Sequence, residues 1–388
     1  MANIDALKQE FWGDLQVDLA VKNTAVYLAN ERLKNLISTN GRKAHRSLLS
    51  HPDRGTYTPH EDINFQKKRG SKQSLEVDTF EYAAETIDIV EQMQTEEDLV
   101  AHSSRSIREG LLNGVEQHYI SEIDNAHHEI AGGAAQSISH DGILQYFEEA
   151  EGTLGAYDAP YETKMRAAVF GPRTVAKLRR SKSERDTGLG DSTLQNGVVG
   201  PWHGWTVVQN NNLPWSADLV LETNPSDGDT ITLAGVTFTF KDNTSDEGDV
   251  EIETDVDDTR DNLVDAINGD DGDYEDLDER DAYMIRRKRS IKAENDSGSD
   301  KVTLEGYGDI ATSEDLTDGT DGFDNEVQES VFMIRGAIDL VVQFMRLEIP
   351  RKEAGFADMP KGVVGLGTKT FKDGEIMMVK LTVDASDF

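Results

Sequence analysis

Three short runs of this sequence carry residue types suited to chemistry, and each departs from the spacing that chemistry needs. Gly362, Gly365 and Gly367 precede Thr368-Lys369-Thr370. Such a run holds phosphate when Lys follows the last Gly directly and Ser or Thr comes next. Here Thr368 intervenes, and the run reads as a turn before a strand. His127-His128-Glu129 offers imidazole and carboxylate to a metal. Adjacent residues of a helix point about 100° apart, whereas zinc helices use i, i+4 histidines, so the run reads as a solvated helix end. Asp270, Asp271, Asp273, Glu275 and Asp276 have the composition of a calcium loop. They lack the glycine at its sixth position and the glutamate at its twelfth, and read as acidic surface. Ser/His/Asp triads assemble in space, and spacing in one chain argues for none. No catalytic residue, cofactor or metal is therefore expected, and the chain is not read as an enzyme.

Charge is the dominant feature. The 388 residues allow two or three domains, and 74 acidic against 39 basic residues give a formal charge of −35. The charged fraction, 29%, is ordinary, so the anomaly is the sign imbalance. Such a surface as a whole repels nucleic acid and anionic membranes. At 1 M salt the screening length falls to about 3 Å, which makes the self-repulsion tolerable there and destabilising in dilute buffer. The acid is not collected in a terminal tail, and we read it as adaptation to molar salt in preference to calcium loading or an acidic tail. The absence of cysteine excludes disulfide scaffolds, thiol nucleophiles and cysteine-based metal centres. No stretch approaches about 18 apolar residues, so no membrane helix is expected. Met1 to Glu10 shows no signal region.

The elements follow from periodicity. Leu7, Phe11, Trp12, Leu15 and Leu19 have helical spacing, but residues 1–45 do not make a compact domain. Residues 46–75, punctuated by Pro52, Gly55, Pro59 and Gly70, are too long for an ordinary connection. They read as an extended hairpin carrying Lys67, Lys68 and Arg69. Strand-type residues follow at Leu75, Val77, Thr79, Phe80 and Tyr82. The clearest helix bears Leu99, Val100, Ile107, Leu111, Leu112, Val115, Tyr119, Ile120 and Ile123. It is expected from Thr95 to about Ile130, about 50 Å long. A second helix is expected over 139–151, a strand over 167–170, a helix opened by Pro172 and a strand over 206–209.

Residues 221–322 read as a separate small α+β module. It would hold a hairpin over 230–240 turning at Ala234-Gly235, a helix over 259–268, and strands over 283–293 and 301–305. Residues 217–325 carry about −24 of the charge. Within them Arg286-Arg287-Lys288-Arg289 reads as an internal ion-pair strip. The chain closes with strands over 365–370 and 376–383, read as a hairpin around Lys372-Asp373-Gly374.

This order of parts resembles the major capsid proteins of tailed viruses, the Hong Kong 97-like family. Residues 75–130 look like its strand pair leading into a spine helix. The run from Gly197-Val198-Val199-Gly200-Pro201-Trp202 to Asn210-Asn211-Asn212-Leu213-Pro214 looks like its glycine-rich turn and strand, and Gly365-Leu366-Gly367-Thr368-Lys369 like its closing segment. The resemblance covers most of the chain outside 221–322. That stretch departs from the minimal pattern and is similar to modules inside other tailed-virus structural proteins.

The resemblance implies an α+β, Hong Kong 97-like capsid fold. Its parts would be an N-terminal arm (1–45), an extended loop (46–85), a peripheral domain with the spine helix (86–138 and 350–388), an axial domain (139–220 and 323–349) and an inserted acidic surface domain (221–322). It implies hexamers and pentamers of an icosahedral shell around double-stranded DNA, in a virion assembled in the host cytoplasm, with scaffolding and portal proteins as partners and no membrane. Phe11, Trp12 and Leu15 would anchor the arm on sister copies, and Lys67, Lys68 and Arg69 would meet acidic patches there. Arg173, Lys177, Arg179, Arg180 and Lys182 would face a neighbour or the DNA. Because Met1 leads directly into the arm, a separate scaffolding protein is expected. The acidity adds a halophilic, archaeal host. The alternatives are another self-assembling surface-layer or decoration protein of a halophile, which would form flat lattices, and an acidic hydrolase, which needs a clustered site.

Overall fold

The computed structural model describes residues 27–33, 37, 41–49, 54–57, 59, 62–63, 65, 67, 70–88, 93, 99–139, 142–157, 165–183, 201–317, 321–351 and 357–385. Strands β1 (Lys43–Leu49) and β2 (Gly70–Glu76) pair antiparallel along their whole length as a two-stranded ribbon. β3 (Thr79–Ala84) follows. Helix α1 (Leu99–Ser121) buries Ile107, Leu111, Val115, Tyr119 and Ile120, the stripe read from the sequence.

α1 ends earlier than expected, at Ser121; from Leu99 it spans about 34 Å at 1.5 Å per residue, and the expected start at Thr95 lies outside the described residues. The chain tightens into a 3-10 turn at Glu122–Asn125. His128–Glu129 is then a short strand parallel to Val379 and Lys380, not a helix end. Ala131, Gly132 and Gly133 take left-handed φ of 53°, 67° and 85° and turn the chain away. Ile123 and Ile130 are buried all the same, so their apolar pattern ran on past the helix that carried it.

α2 (Ile143–Ala156), β4 (Arg166–Phe170), α3 (Pro172–Ser183), β5 (Trp205–Gln209) and β6 (Pro214–Val220) come next. The acidic stretch then forms β7 (Thr230–Leu233), β8 (Val236–Lys241), β9 (Asp249–Glu251), α4 (Val256–Asn268), β10 (Lys292–Asp296), β11 (Lys301–Tyr307) and β12 (Thr312–Asp315). Ala234 and Gly235 turn the β7–β8 hairpin with φ of 52° and 84°, as tight two-residue hairpins require. The strand expected over 283–293 is mostly absent: Tyr283–Lys288 is a π-helical turn, and extended chain resumes at Lys292.

β13 (Gly322–Ile334), β14 (Ile338–Glu348), β15 (Lys361–Thr370) and β16 (Met378–Asp384) complete the chain. Among the described residues β13 is the axis of a nine-stranded sheet. It pairs with β16 on one side and with β6 and then β4 on the other. β6 continues to β11 and β10, and β4 to β5. β15 instead lies between β14 and β3 in a three-stranded sheet. The expected closing hairpin therefore does not form. The short helix Lys372–Glu375 hands the chain from one sheet to the other. A Cβ at Gly374 would lie 2.0 Å from the Ala337 carbonyl oxygen, so this crossing needs glycine.

α1 packs over the three-stranded sheet and one face of the large sheet, burying Ile107, Leu111, Val115, Val331, Val364 and Leu366 together. α2 and α3 cover the other face, where Phe147, Phe170, Trp205 and Phe332 meet edge to face. The acidic stretch buries its own Phe238, Phe240, Leu263 and Ile267. Trp215, Ala217 and Leu219 of β6 belong to the same core, so that lobe shares the large sheet with the body. Among the described residues no helix is long and apolar enough to cross a membrane.

Candidate subunit-contact surfaces

Among the described residues, the ribbon is anchored at its base and largely exposed beyond it. Ala44, Leu75 and Val77 pack with Leu33, Ile37, Val341 and Phe371. Lys43 pairs with Glu76 across the strands at 2.7 Å, and Lys369 Nζ donates to the Ser74 carbonyl at 2.9 Å. Arg46 pairs with Asp373, lies 3.9 Å from Asp339 and stacks over the Phe371 ring. Burial pushes the Asp339 carboxyl up to about 6 against the pull of Arg46. Asn30 bridges to Asp339 in parallel, with Asn30 N donating to Ile338 O at 2.9 Å. The end of the first segment and the ribbon thus meet at one buried acid.

Between the strands, Tyr57, Ile63 and Phe65 are 64%, 63% and 89% exposed. On β3, Phe80 and Tyr82 point out while Glu81 turns inward to α1, and Tyr82 is 80% exposed. These apolar groups were missed as contact candidates. Their signal was available: period-two alternation puts Phe80 and Tyr82 on one face of β3, and apolar residues interrupt a polar loop. Of the residues named from the sequence, Lys67 is exposed. Phe11, Trp12, Leu15, Lys68 and Arg69 lie outside the described residues.

The glycine-rich run lies inside β15, where close packing uses it. A Cβ at Gly362 would meet Leu111 Cδ1 at 2.8 Å and Ile107 Cγ2 at 3.0 Å, so the bare backbone seats α1. His127 and His128 meet edge-on at 4.7 Å, and His128 lies 4.0 Å from the Tyr157 ring. Of the acidic run, Asp273 comes close to Glu251 and Glu253, with one oxygen of each within 4.8 Å of the others. In place of the expected ion-pair strip, the described bonds of Arg286 and Arg289 go to main-chain carbonyls. Arg286 donates to the carbonyls of Ile267 and Ala266 at the C-terminus of α4, at 3.1 and 2.7 Å. The Lys288 carbonyl accepts from Asn113 and Gln117 of α1. On α3, Arg173 pairs with Asp309 at 2.9 Å, and Arg179 and Arg180 are exposed.

No family model and no curated protein matches the sequence. Among solved structures, a chain of Mycobacterium phage Che8 aligns over 91% of this chain and 89% of its own, with 14% identity and a TM-score of 0.54. The capsid structure of the cyanophage P-SCSP1u aligns over 89% and 84%, with 12% identity and a TM-score of 0.51. The chain has the phage capsid fold. The glycine-rich run thus serves close packing and Arg286 caps α4. Among the described residues, the ribbon and the outer face of β3 carry the most exposed aromatic side chains, Phe65, Tyr82 and Tyr57.

Proposed function

We propose that the chain is a major capsid protein whose copies form hexamers and pentamers of an icosahedral shell around double-stranded DNA. The observation that carries this is the bare ribbon on a chain with the phage capsid fold. An isolated two-stranded ribbon is marginal in water, and Tyr57, Ile63 and Phe65 need apolar cover that a sister copy supplies. Residues 1–45 act as an arm with Phe11, Trp12 and Leu15 as its anchors, and Lys67, Lys68 and Arg69 meet acid on a neighbour. Residues 86–138 with 350–388, and 139–220 with 323–349, form the peripheral and axial parts. The lobe over 221–322 faces outward, because its charge repels DNA. The protein resides in the virion, is assembled in the host cytoplasm and works with scaffolding and portal proteins. The acid-rich surface is the ground for a halophilic, archaeal host. The role is structural and needs no catalysis.

Electron microscopy of the chain expressed and held in molar KCl tests this. Shells or hexameric rings are expected, and Phe65→Asp combined with Tyr82→Asp should abolish them while leaving the melting temperature unchanged. Flat lattices would favour a surface-layer protein. Small soluble oligomers under all assembly conditions would overturn the proposal.

A further inference from the structure

Where α1 ends, a group of charges meets that the contact surfaces leave unused. Lys380 on β16 reaches Glu329 on β13 at 3.0 Å, Asp124 of the 3-10 turn at 3.4 Å and Glu129 of the short strand at 3.4 Å. One ammonium among three carboxylates leaves excess negative charge. The Lys380 and Glu329 side chains are 14% and 19% exposed, against 61% and 40% for Asp124 and Glu129, so the weakly screened negative charge is that of Glu329. Glu329 Oε2 is buried without a hydrogen-bond partner, and Asp124 Oδ1 shares the Lys380 ammonium with Glu329. A proton held between the two carboxyls supplies the missing donor.

The surroundings favour that proton. Burial first, and then Asp124, push Glu329 up to about 7, with Lys380 opposing. Burial alone would lower Lys380, but Glu329, Asp124 and Glu129 together raise it, so it stays charged. The cluster borders a cavity of about 440 Å³ between α1 and the large sheet. The other ionisable groups facing this cavity are His118 on α1 with its partner Glu81 on β3, Glu305 and Tyr307 on β11, and Lys292 on β10. Burial and Asp124 raise Tyr307, which stays neutral.

We propose that Asp124, Glu329 and Lys380 form a proton-held latch, which ties residues 122–133 to the large sheet while the carboxyl pair keeps one proton and frees them when both carboxyls ionise. This segment joins α1 to the rest of the chain. Besides the latch, the segment is held by the short pairing at Val379–Lys380, main-chain bonds such as His127 N to Glu375 O, the bond from Thr370 N to Glu122 Oε2 at 2.7 Å, and the buried Ile123 and Ile130. The closed latch binds a proton that the open one has released. Its contribution is complete below the ordinary glutamate value of 4.5 and is lost as the pH rises to about 7, with no further loss above. Opening then eases by up to about tenfold per pH unit inside that window.

Hydrogen–deuterium exchange on the full chain in molar KCl, corrected for intrinsic rates, tests the latch whether or not copies assemble. Protection over 122–133 should fall about twentyfold between pH 5.5 and 7.5 and level off by 8.5, while the β7–β8 hairpin stays constant. Glu329→Gln, which keeps a neutral donor in place, should hold that protection flat, and Asp124→Asn should flatten it too. A flat wild-type profile, or the same fall in either variant, overturns the proposal. Carbon-13 NMR of the wild-type Glu329 carboxyl gives a readout that needs no variant: titration near 7 supports the latch, and titration near 4.5 refutes it.

Discussion

Gly367 and Glu76 touch main chain to main chain: a Cβ at Gly367 would lie 2.3 Å from the Glu76 carbonyl oxygen. The end of the ribbon rests on β15 at this point. Gly367→Ala should push the ribbon base off its seat and cost about 1–3 kcal/mol, the usual range for overpacking. Chemical denaturation measures it. An unchanged midpoint would mean that the contact relaxes freely.

Arg286 serves the end of α4. Its guanidinium lies over Gly269, which ends the helix with φ of 82°, and holds the carbonyls of Ala266 and Ile267. A cation at a helix C-terminus also meets the negative end of the macrodipole. Arg286→Met should lower stability by about 1–2 kcal/mol, read from the thermal unfolding of the acidic lobe. Arg287→Met, an exposed neighbour, should leave it unchanged.

What the sequence disclosed was local. The stripe from Ile107 to Ile120 and the alternation of Thr230 to Phe240 report one element and its buried face, and both emerged as expected. The end of α1 did not, because Ile123 and Ile130 are buried by two 3-10 turns, on either side of a short strand, that keep the apolar spacing. Pairing over distance was also hidden. β15 and β16 are neighbours in sequence with a turn-like link, yet their partners are β14 and β3 for one and β13 for the other. The glycine-rich run looked like a ligand loop because close backbone packing and phosphate binding both call for residues without side chains. Lys380, Glu329 and Asp124 are spread over more than 250 positions, and no spacing rule joins them.

His118 couples α1 to β3 through Glu81 at 2.8 Å. The hydrogen bond to Glu81 raises its pKa above 6.5, against the opposing effect of burial. The stabilisation is therefore complete below pH 6.5 and is lost as the pH climbs through the raised value. His118→Gln should melt below wild type at pH 6, and the gap should close at alkaline pH. Thermal unfolding at several pH values measures it, and a gap independent of pH would remove the ion pair from the account.

The charge of −35 sets a salt response. Screening in molar KCl should relieve the self-repulsion, so the melting temperature should rise steeply from dilute buffer to molar salt. Calorimetry across that range gives the answer, and a flat profile would remove the halophilic assignment.

Val220 and Gly322 are direct partners on β6 and β13. The chain thus leaves the body for its acidic lobe and comes back through a doorway one strand-pair wide. Any foreign domain whose own two ends lie side by side can be spliced at this threshold without stretching the frame. The exchange is complete only if the guest also shields Trp215, Ala217 and Leu219 and offers β6 a replacement for the strand it loses.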